Sequence, residues 1–299
     1  MSAPVLEASG LGKRYRSLWA LRDCELALPA GRVIALVGPN AAGKTTFLRL
    51  AAGLLRPTEG TITVLGAPAR ADSPASLAQV GFVAQEHPLY DRLRVRELLR
   101  MGRSLNLGWD QDFAESRLDS LGIPLGQRAE ALSGGQHAQV ALTLALAKRP
   151  ALLILDEPAA GLDPLARHAF LQTLMAAVAE GSLTVLLSSH IVAELEQVCD
   201  YLIVLAGGQI EVAGEIDDLL AAHRLLTGPS DRLVDTAPEV VQVTRGDRHS
   251  TAIVRTDGSP VLPGWESHPI GLEELVLAYL HQAASARRSR PHEQREALT

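Results

Sequence analysis

The segment Gly38-Pro39-Asn40-Ala41-Ala42-Gly43-Lys44-Thr45-Thr46 constrains this chain more than any other. It fits G-x-x-x-x-G-K-[ST], a loop whose backbone N–H groups cradle phosphate. Such a loop works between a strand and the N-terminus of a helix, where orphan N–H groups and the helix dipole meet the anion. Both flanks are present. Val33 to Val37 is a continuous apolar run that reads as a buried strand. Thr45 to Leu55 places Phe47, Leu48, Leu50, Ala51 and Leu54 near a period of 3.6, with Pro57 as the expected stop. Lys44 adds a mobile charge for outer phosphates, and Thr45 offers a hydroxyl to Mg²⁺, an ion that prefers oxygen ligands.

The rest of the chain alternates in the way such a unit requires. Leu152–Leu155 reads as a strand, Pro164–Glu180 as a helix, Leu183–Ser188 as a strand, Ile191–Cys199 as a helix and Tyr201–Leu205 as a strand. That order implies an α/β fold with a mostly parallel sheet covered on both faces. Val5–Tyr15, Leu21–Leu28 and Gly60–Leu65 read as strands of a flanking antiparallel sheet. Val95–Leu107 and Asp112–Leu121 read as helices, with Gly122-Ile123-Pro124 as the break, and Gln136–Leu146 is a helix rich in Ala, Leu and Val, hence buried.

Beyond Thr227 the texture changes. Gly228-Pro229-Ser230 is read as a linker, and Val240–Thr244 with Ser250–Arg255 as a hairpin around Arg245-Gly246-Asp247. Leu272–Gln282 closes as a helix whose Leu272, Leu275, Val276 and Tyr279 share one face. That face is read as dimer-stabilising or partner-docking, with core burial as the alternative. The polar end, from about residue 286, is expected to be disordered.

Composition sets outer limits. Of 299 residues, 47% are hydrophobic and 21% charged, which suits a globular protein with a substantial core. No apolar run approaches the roughly 18 residues a membrane span needs. Met1–Glu7 lacks the basic and apolar regions of a secretory signal, so a cytoplasmic protein is expected. Cys24 and Cys199 are too few for a disulfide framework and are expected as reduced thiols. A net charge of −6 argues against nucleic acid as a partner, which favours a basic face.

Two further segments point to the same chemistry. Asp156 ends the Leu152–Leu155 strand at the edge where ligands of parallel sheets bind, and its carboxylate suits Mg²⁺. Glu157 follows it and is the candidate base for an attacking water. Leu132-Ser133-Gly134-Gly135-Gln136 precedes a buried helix; its chance occurrence is rare, on the order of one in a thousand on average residue usage. Taken alone, Gln85 is an ordinary loop amide and His190 a residue at a helix start.

With these residues in place, the chain resembles the ATP-binding subunits of ATP-binding cassette transporters, over about residues 3–226. Walker A matches at 38–46, the signature at 132–136 and Walker B at 152–157. A D-loop follows as Gly161-Leu162-Asp163, a Q-loop at Gln85, a switch histidine at His190 and an adenine-stacking aromatic at Tyr15. The resemblance implies a P-loop NTPase cassette: a mixed core sheet, a flanking antiparallel β subdomain and a helical signature subdomain at about 86–150. Residues 227–285 would be a small α+β C-terminal extension, before a tail at 286–299.

The resemblance also implies ATP and Mg²⁺ as cofactors. Tyr15, Gly38, Pro39, Asn40, Ala41, Ala42, Gly43, Lys44, Thr45 and Thr46 would bind ATP. Ser133, Gly134, Gly135, Gln136 and Asp163 would complete the site of a second cassette, in a homodimer or heterodimer. Thr45, Gln85 and Asp156 would hold Mg²⁺. Glu157, His190, Lys44 and Gln85 would be catalytic, with Glu157 as general base. The membrane permease would be a separate chain docking at Glu86-His87-Pro88-Leu89-Tyr90, which puts this chain on the inner face of the cell membrane. The C-terminal module, with Asn106–Asp110 and Ala159–Asp163, is similar to bacterial drug and antibiotic exporters, so export is preferred to import. A soluble cassette ATPase of translation or DNA repair is the alternative; the paired cassettes, coiled coils and zinc sites of those proteins are missing from the sequence. A nucleotide-binding module without hydrolysis is a third reading, and Glu157 argues against it. The sequence departs from the family at Ala41, where glycine is usual and a positive φ would cost about 1 kcal/mol. It departs again at His137-Ala138-Gln139, where two basic residues are common.

Overall fold

The computed structural model describes residues 3–70, 74–181, 183–229, 239–246, 249–256 and 264–288. Strands β1 (Leu6–Tyr15) and β2 (Leu18–Leu28) form an antiparallel pair. β3 (Val33–Val37), buried throughout, runs into the phosphate loop, and α1 (Lys44–Ala51) leaves it. β4 (Glu59–Val64) and β5 (Ala67–Pro68) return to the first sheet, whose order is β2-β1-β4-β5. α2 (Pro74–Gln79) leads to β6 (Val80–Val83), followed by α3 (Val95–Leu105), α4 (Gln111–Ser120) and α5 (Gly134–Leu146). Next come β7 (Leu152–Leu155), α6 (Pro164–Ala179), β8 (Thr184–Ser189), α7 (Val192–Leu195) and β9 (Tyr201–Ala206). β10 (Gln209–Glu215) and α8 (Ile216–Ala222) lead to β11 (His223–Pro229), β12 (Glu239–Arg245), β13 (His249–Arg255), β14 (Glu266–His268) and α9 (Leu272–Arg288).

The central sheet has the order β10-β9-β3-β8-β7-β6, parallel except for β10 at its edge. Its period-2 alternation splits the apolar runs between two cores. Val33, Ala35, Val37, Leu153, Leu155, Val185 and Leu187 face one side with Phe170 and Leu174 of α6. Ile34, Leu36, Leu152, Ile154, Leu186 and Ile203 face the other with Phe47 and Leu48 of α1 and Leu11 and Leu21 of the first sheet. Each fully buried side chain of this size contributes about 1.5–3 kcal/mol. Val95, Leu98, Leu99, Ala114, Leu118 and Val140 form a separate core for the helical subdomain. The parallel strands bring the ends of β3, β6, β7, β8 and β9 to one edge, where open sheets of this type bind ligands.

Several expectations need correction. α1 stops at Ala51, not Leu55, because Gly53 takes a left-handed φ of 72° and the N–H of Leu54 turns back to Arg49 O. The helix expected over Ile191–Cys199 covers only Val192–Leu195, and an N–H bond from Val198 to Leu195 O closes a turn after it. Gly228 and Pro229 are not a linker: they end β11, which pairs with β13 and β14 in a sheet of order β12-β13-β11-β14. A Cβ at Gly228 would collide with the Trp265 ring, so this glycine serves close packing. The hairpin is present as β12 paired with β13; Asp247 lies outside the described residues.

The face Leu272/Leu275/Val276/Tyr279 is not a free docking surface. All four side chains are buried in the larger core with Val204 of β9, Leu195 of α7 and Val241 of β12. The expected tail at 286 also begins too early. α9 runs to Arg288, and the Arg287 guanidinium rests on Gly207, where a Cβ would strike it. Residues 289–299 lie outside the described residues. No described helix is long and apolar enough to cross a membrane.

Candidate active site

The phosphate loop leaves β3 and backs onto the β9–β10 turn, where Gly208 N–H donates to Ala42 O at 3.0 Å. A Cβ at Gly38 would strike Leu205 O, and one at Gly43 would come within 2.5 Å of Ala20 O, so both glycines are fixed by close backbone approach. Ala41 has φ 63° and Gly43 φ 110°. Left-handed residues in such a loop turn successive N–H groups toward one point, a concavity that suits anions. Ala41 thus bears the positive φ anticipated from the sequence, at a cost of about 1 kcal/mol.

The start of α1 fits a phosphate. No side chain caps it and no acid stands in its first turn. In contrast, Asp163 caps α6 through the N–H groups of Leu165 and Ala166. Ser133 and Gln136 cap α5 reciprocally. The uncapped N–H groups of α1 are donors left for a ligand.

Around this helix start the polar side chains close into one network. Lys44 is 6% exposed, and its Nζ donates to Gly38 O at 2.8 Å and Pro39 O at 3.3 Å while lying 3.4 Å from Glu157 Oε1. Thr45 Oγ1 donates to Asp156 Oδ1 at 3.2 Å. Ser188 Oγ donates to the same oxygen at 2.9 Å and accepts the N–H of Glu157 at 2.8 Å. His190 Nδ1 donates to Glu157 Oε2 at 3.2 Å. The carboxylates of Asp156 and Glu157 are therefore served by different partners: two hydroxyls for the first, the Lys44 ammonium and an imidazole for the second. The Asp156 carboxylate beside the Thr45 hydroxyl is a hard oxygen pair that fits Mg²⁺ completed by water and phosphate.

The other candidate residues fall at the periphery. Gln85 sits in an exposed turn past β6, on the strand edge beside Asp156, whose N–H donates to Val83 O at 2.9 Å. No hydrogen bond joins it to Thr45 or Asp156 among the described residues. Tyr15 ends β1, 44% exposed, with Lys13 Nζ 5.5 Å from its ring centroid. Ser133, Gly134, Gly135 and Gln136 open α5 away from the Lys44 network; a Cβ on Gly135 would press on Ala166 at 2.9 Å, next to Asp163. Within one chain, the 38–46 loop, Asp156, Glu157 and His190 come together, and the 133–136 segment does not join them.

Two residues of the site region escaped the sequence reading. Ser188 looked like the end of an apolar run, and its signal was a buried hydroxyl position at the carboxyl edge of β8. Arg117 of α4 donates to Gln139 Oε1 at 2.8 Å and Thr143 Oγ1 at 2.9 Å. It brings a guanidinium to the helix where His137-Ala138-Gln139 departs from the family pattern. Burial lowers its pKa to about 10. Neither thiol is in a disulfide, and burial pushes Cys24 up to about 11 and Cys199 up to about 12, which keeps both protonated.

Residues 21–160 match a family profile described as "ABC transporter". Residues 126–196 match a second, described as "AAA domain, putative AbiEii toxin, Type IV TA system". The Nod factor export ATP-binding protein I of Cupriavidus pinatubonensis is 38% identical over 223 residues, covering 72% of this chain and 68% of that protein. A solved ATP-binding subunit of an ABC transporter superposes with a TM-score of 0.65 at 30% identity, covering 73% of this chain and 92% of the other. CbiO1 of Clostridium perfringens, part of the transporter complex cbiONQ, superposes with a TM-score of 0.63 at 26% identity over 74% of this chain and 92% of its own.

Proposed function

This chain belongs to the ABC transporter family of ATP-binding proteins, and from that membership we propose that it powers the outward transport of a molecule through a separate membrane permease. It is the ATP-hydrolysing subunit. The observation that carries the proposed mechanism is the network joining Lys44, Thr45, Asp156, Glu157, Ser188 and His190 at the uncapped start of α1.

In that mechanism the loop N–H groups and Lys44 bind the β- and γ-phosphates of ATP. Lys44 exchanges its loop carbonyls and Glu157 for phosphate oxygens, which frees Glu157 Oε1 to face a water in line with the γ-phosphorus. Glu157 takes the proton of that water, and His190, bonded to its other oxygen, fixes the carboxylate's orientation. Thr45, Asp156 and Gln85 would hold Mg²⁺. That ion supplies neutralisation of the phosphate charge when bound. Tyr15 offers its exposed ring to adenine.

The site is completed by a second cassette, identical or homologous. Ser133, Gly134 and Gly135 of one subunit present an exposed helix N-terminus to the ATP of the other, and Asp163 lies beside them. The relative from Cupriavidus pinatubonensis is named for export, which favours the outward direction. Docking on the permease through residues 86–90, by the exposed Glu86, Pro88 and Tyr90, would put the chain on the inner face of the membrane.

Replacing Glu157 by Gln tests the assignment. Turnover should fall by about 10²–10⁴, the range for a general base, while ATP binding is retained. Unchanged turnover would remove Glu157 from the mechanism.

A further inference from the structure

One support of the Glu157 segment comes from His87, a residue outside the expected catalytic set. His87 is 6% exposed in the turn after β6, with a left-handed φ of 45°. Its Nε2 lies 2.9 Å from Pro158 O. A carbonyl can only accept, so the imidazole carries its proton on Nε2 and donates. The ring also packs at 6.4 Å, tilted 55°, against Phe170 of α6. Burial lowers the pKa of His87, and His137 of α5, the one titratable group that acts on it among the described residues, adds to that. The neutral, Nε2-protonated form is therefore the one this environment favours.

Glu157 needs such a support because its own backbone is unfavourable. Its φ is 44°, a conformation that costs a non-glycine residue about 1–2 kcal/mol and persists only where neighbours enforce it. Three bonds do so. The N–H of Glu157 is held by Ser188 Oγ at 2.8 Å, its carbonyl accepts from Ala160 N–H at 3.0 Å, and the next carbonyl, of Pro158, accepts from His87. The first two anchor Glu157 to its own sheet edge and loop. The third ties it to the turn that carries Gln85, which lies beside it because Val83 pairs with Leu155.

We propose that His87 is a positioning residue for hydrolysis: its bond to the Pro158 carbonyl holds the Glu157 backbone in the conformation that aims the carboxylate at the attacking water. This rests on the role of Glu157 proposed above. His87 touches no phosphate or water itself, so its loss should affect the chemical step and leave nucleotide binding alone. It also makes the 85–87 turn and the Glu157 segment move together, so that a shift in the turn is delivered to the base.

The test compares His87→Asn, His87→Gln and Glu157→Gln in the purified full chain, by steady-state ATPase and by equilibrium binding of labelled ATP in EDTA. Asparagine tolerates a left-handed φ but its amide stops near the Nδ1 position, too short for Pro158. Glutamine carries an amide N–H out to where Nε2 sits. We expect kcat of His87→Asn to fall about tenfold, with ATP affinity within twofold of wild type, and His87→Gln to regain at least half the lost rate. A fall of less than threefold in His87→Asn, or a His87→Gln no better than His87→Asn, overturns the positioning role. Those results with an inactive Glu157→Gln sink His87 alone. Full turnover in Glu157→Gln overturns the base assignment, and the role of His87 with it.

Discussion

Ser188 concentrates the logic of the site in one hydroxyl. It donates to the Asp156 carboxylate and accepts the N–H of Glu157, so the residue read as the Mg²⁺ ligand and the residue read as the base share one anchor. Asp156 is 3% exposed, and a buried carboxylate that loses a donor carries the full desolvation cost of the lost bond. Replacing Ser188 by Ala should lower stability by about 1–3 kcal/mol. It should also lower kcat by at least tenfold, since Glu157 loses one of three restraints on a left-handed backbone. Paired denaturation and ATPase measurements on this variant check both; wild-type turnover with the hydroxyl gone would contradict the geometry. The sequence shows Asp156 and Glu157 readily, because an apolar strand ending in two acids is visible at once. Ser188 and His87 are invisible there, since each acquires its role only when β6, β7 and β8 lie side by side.

At the level of elements, the legible parts are those with a strong local signal. β3, β7 and α5 fall within two residues of expectation because unbroken apolar runs flanked by glycine, proline or acids leave little choice. β10 and β14 were missed. β10 alternates only over Gln209-Ile210-Glu211-Val212, at a sheet edge and with an irregular register, and β14 is a three-residue strand exposed at every position, so neither gives a signal of full strand length. Gly228 misled because a glycine beside a proline reads as a linker, whereas here it admits the Trp265 ring. α9 shows the limit of periodicity: its apolar stripe was legible, and what the stripe packs against was not. Leu275 is fully buried between the sheet and α7, so Leu275→Ala should cost about 2–5 kcal/mol. Thermal denaturation checks this. An unchanged melting temperature together with selective loss of a partner would revive the docking role.

Across the whole molecule, the central, mostly parallel sheet organises the site. Its carboxyl edge holds the phosphate loop, Asp156, Glu157 and His190. One face packs on the C-terminal helix, and the helical subdomain presents the 133–136 segment elsewhere on the surface. In the proposed mechanism a single chain would hold half of each of two sites, and that mechanism requires both a second cassette and a membrane subunit for ATP closure to move. The most direct measurement is affinity purification from native membranes of the Glu157→Gln chain loaded with ATP, identifying what accompanies it by mass spectrometry. A polypeptide with several apolar spans should be recovered, dependent on ATP. Ribosomal proteins or nucleic acid in its place, with no membrane protein, would contradict the mechanism.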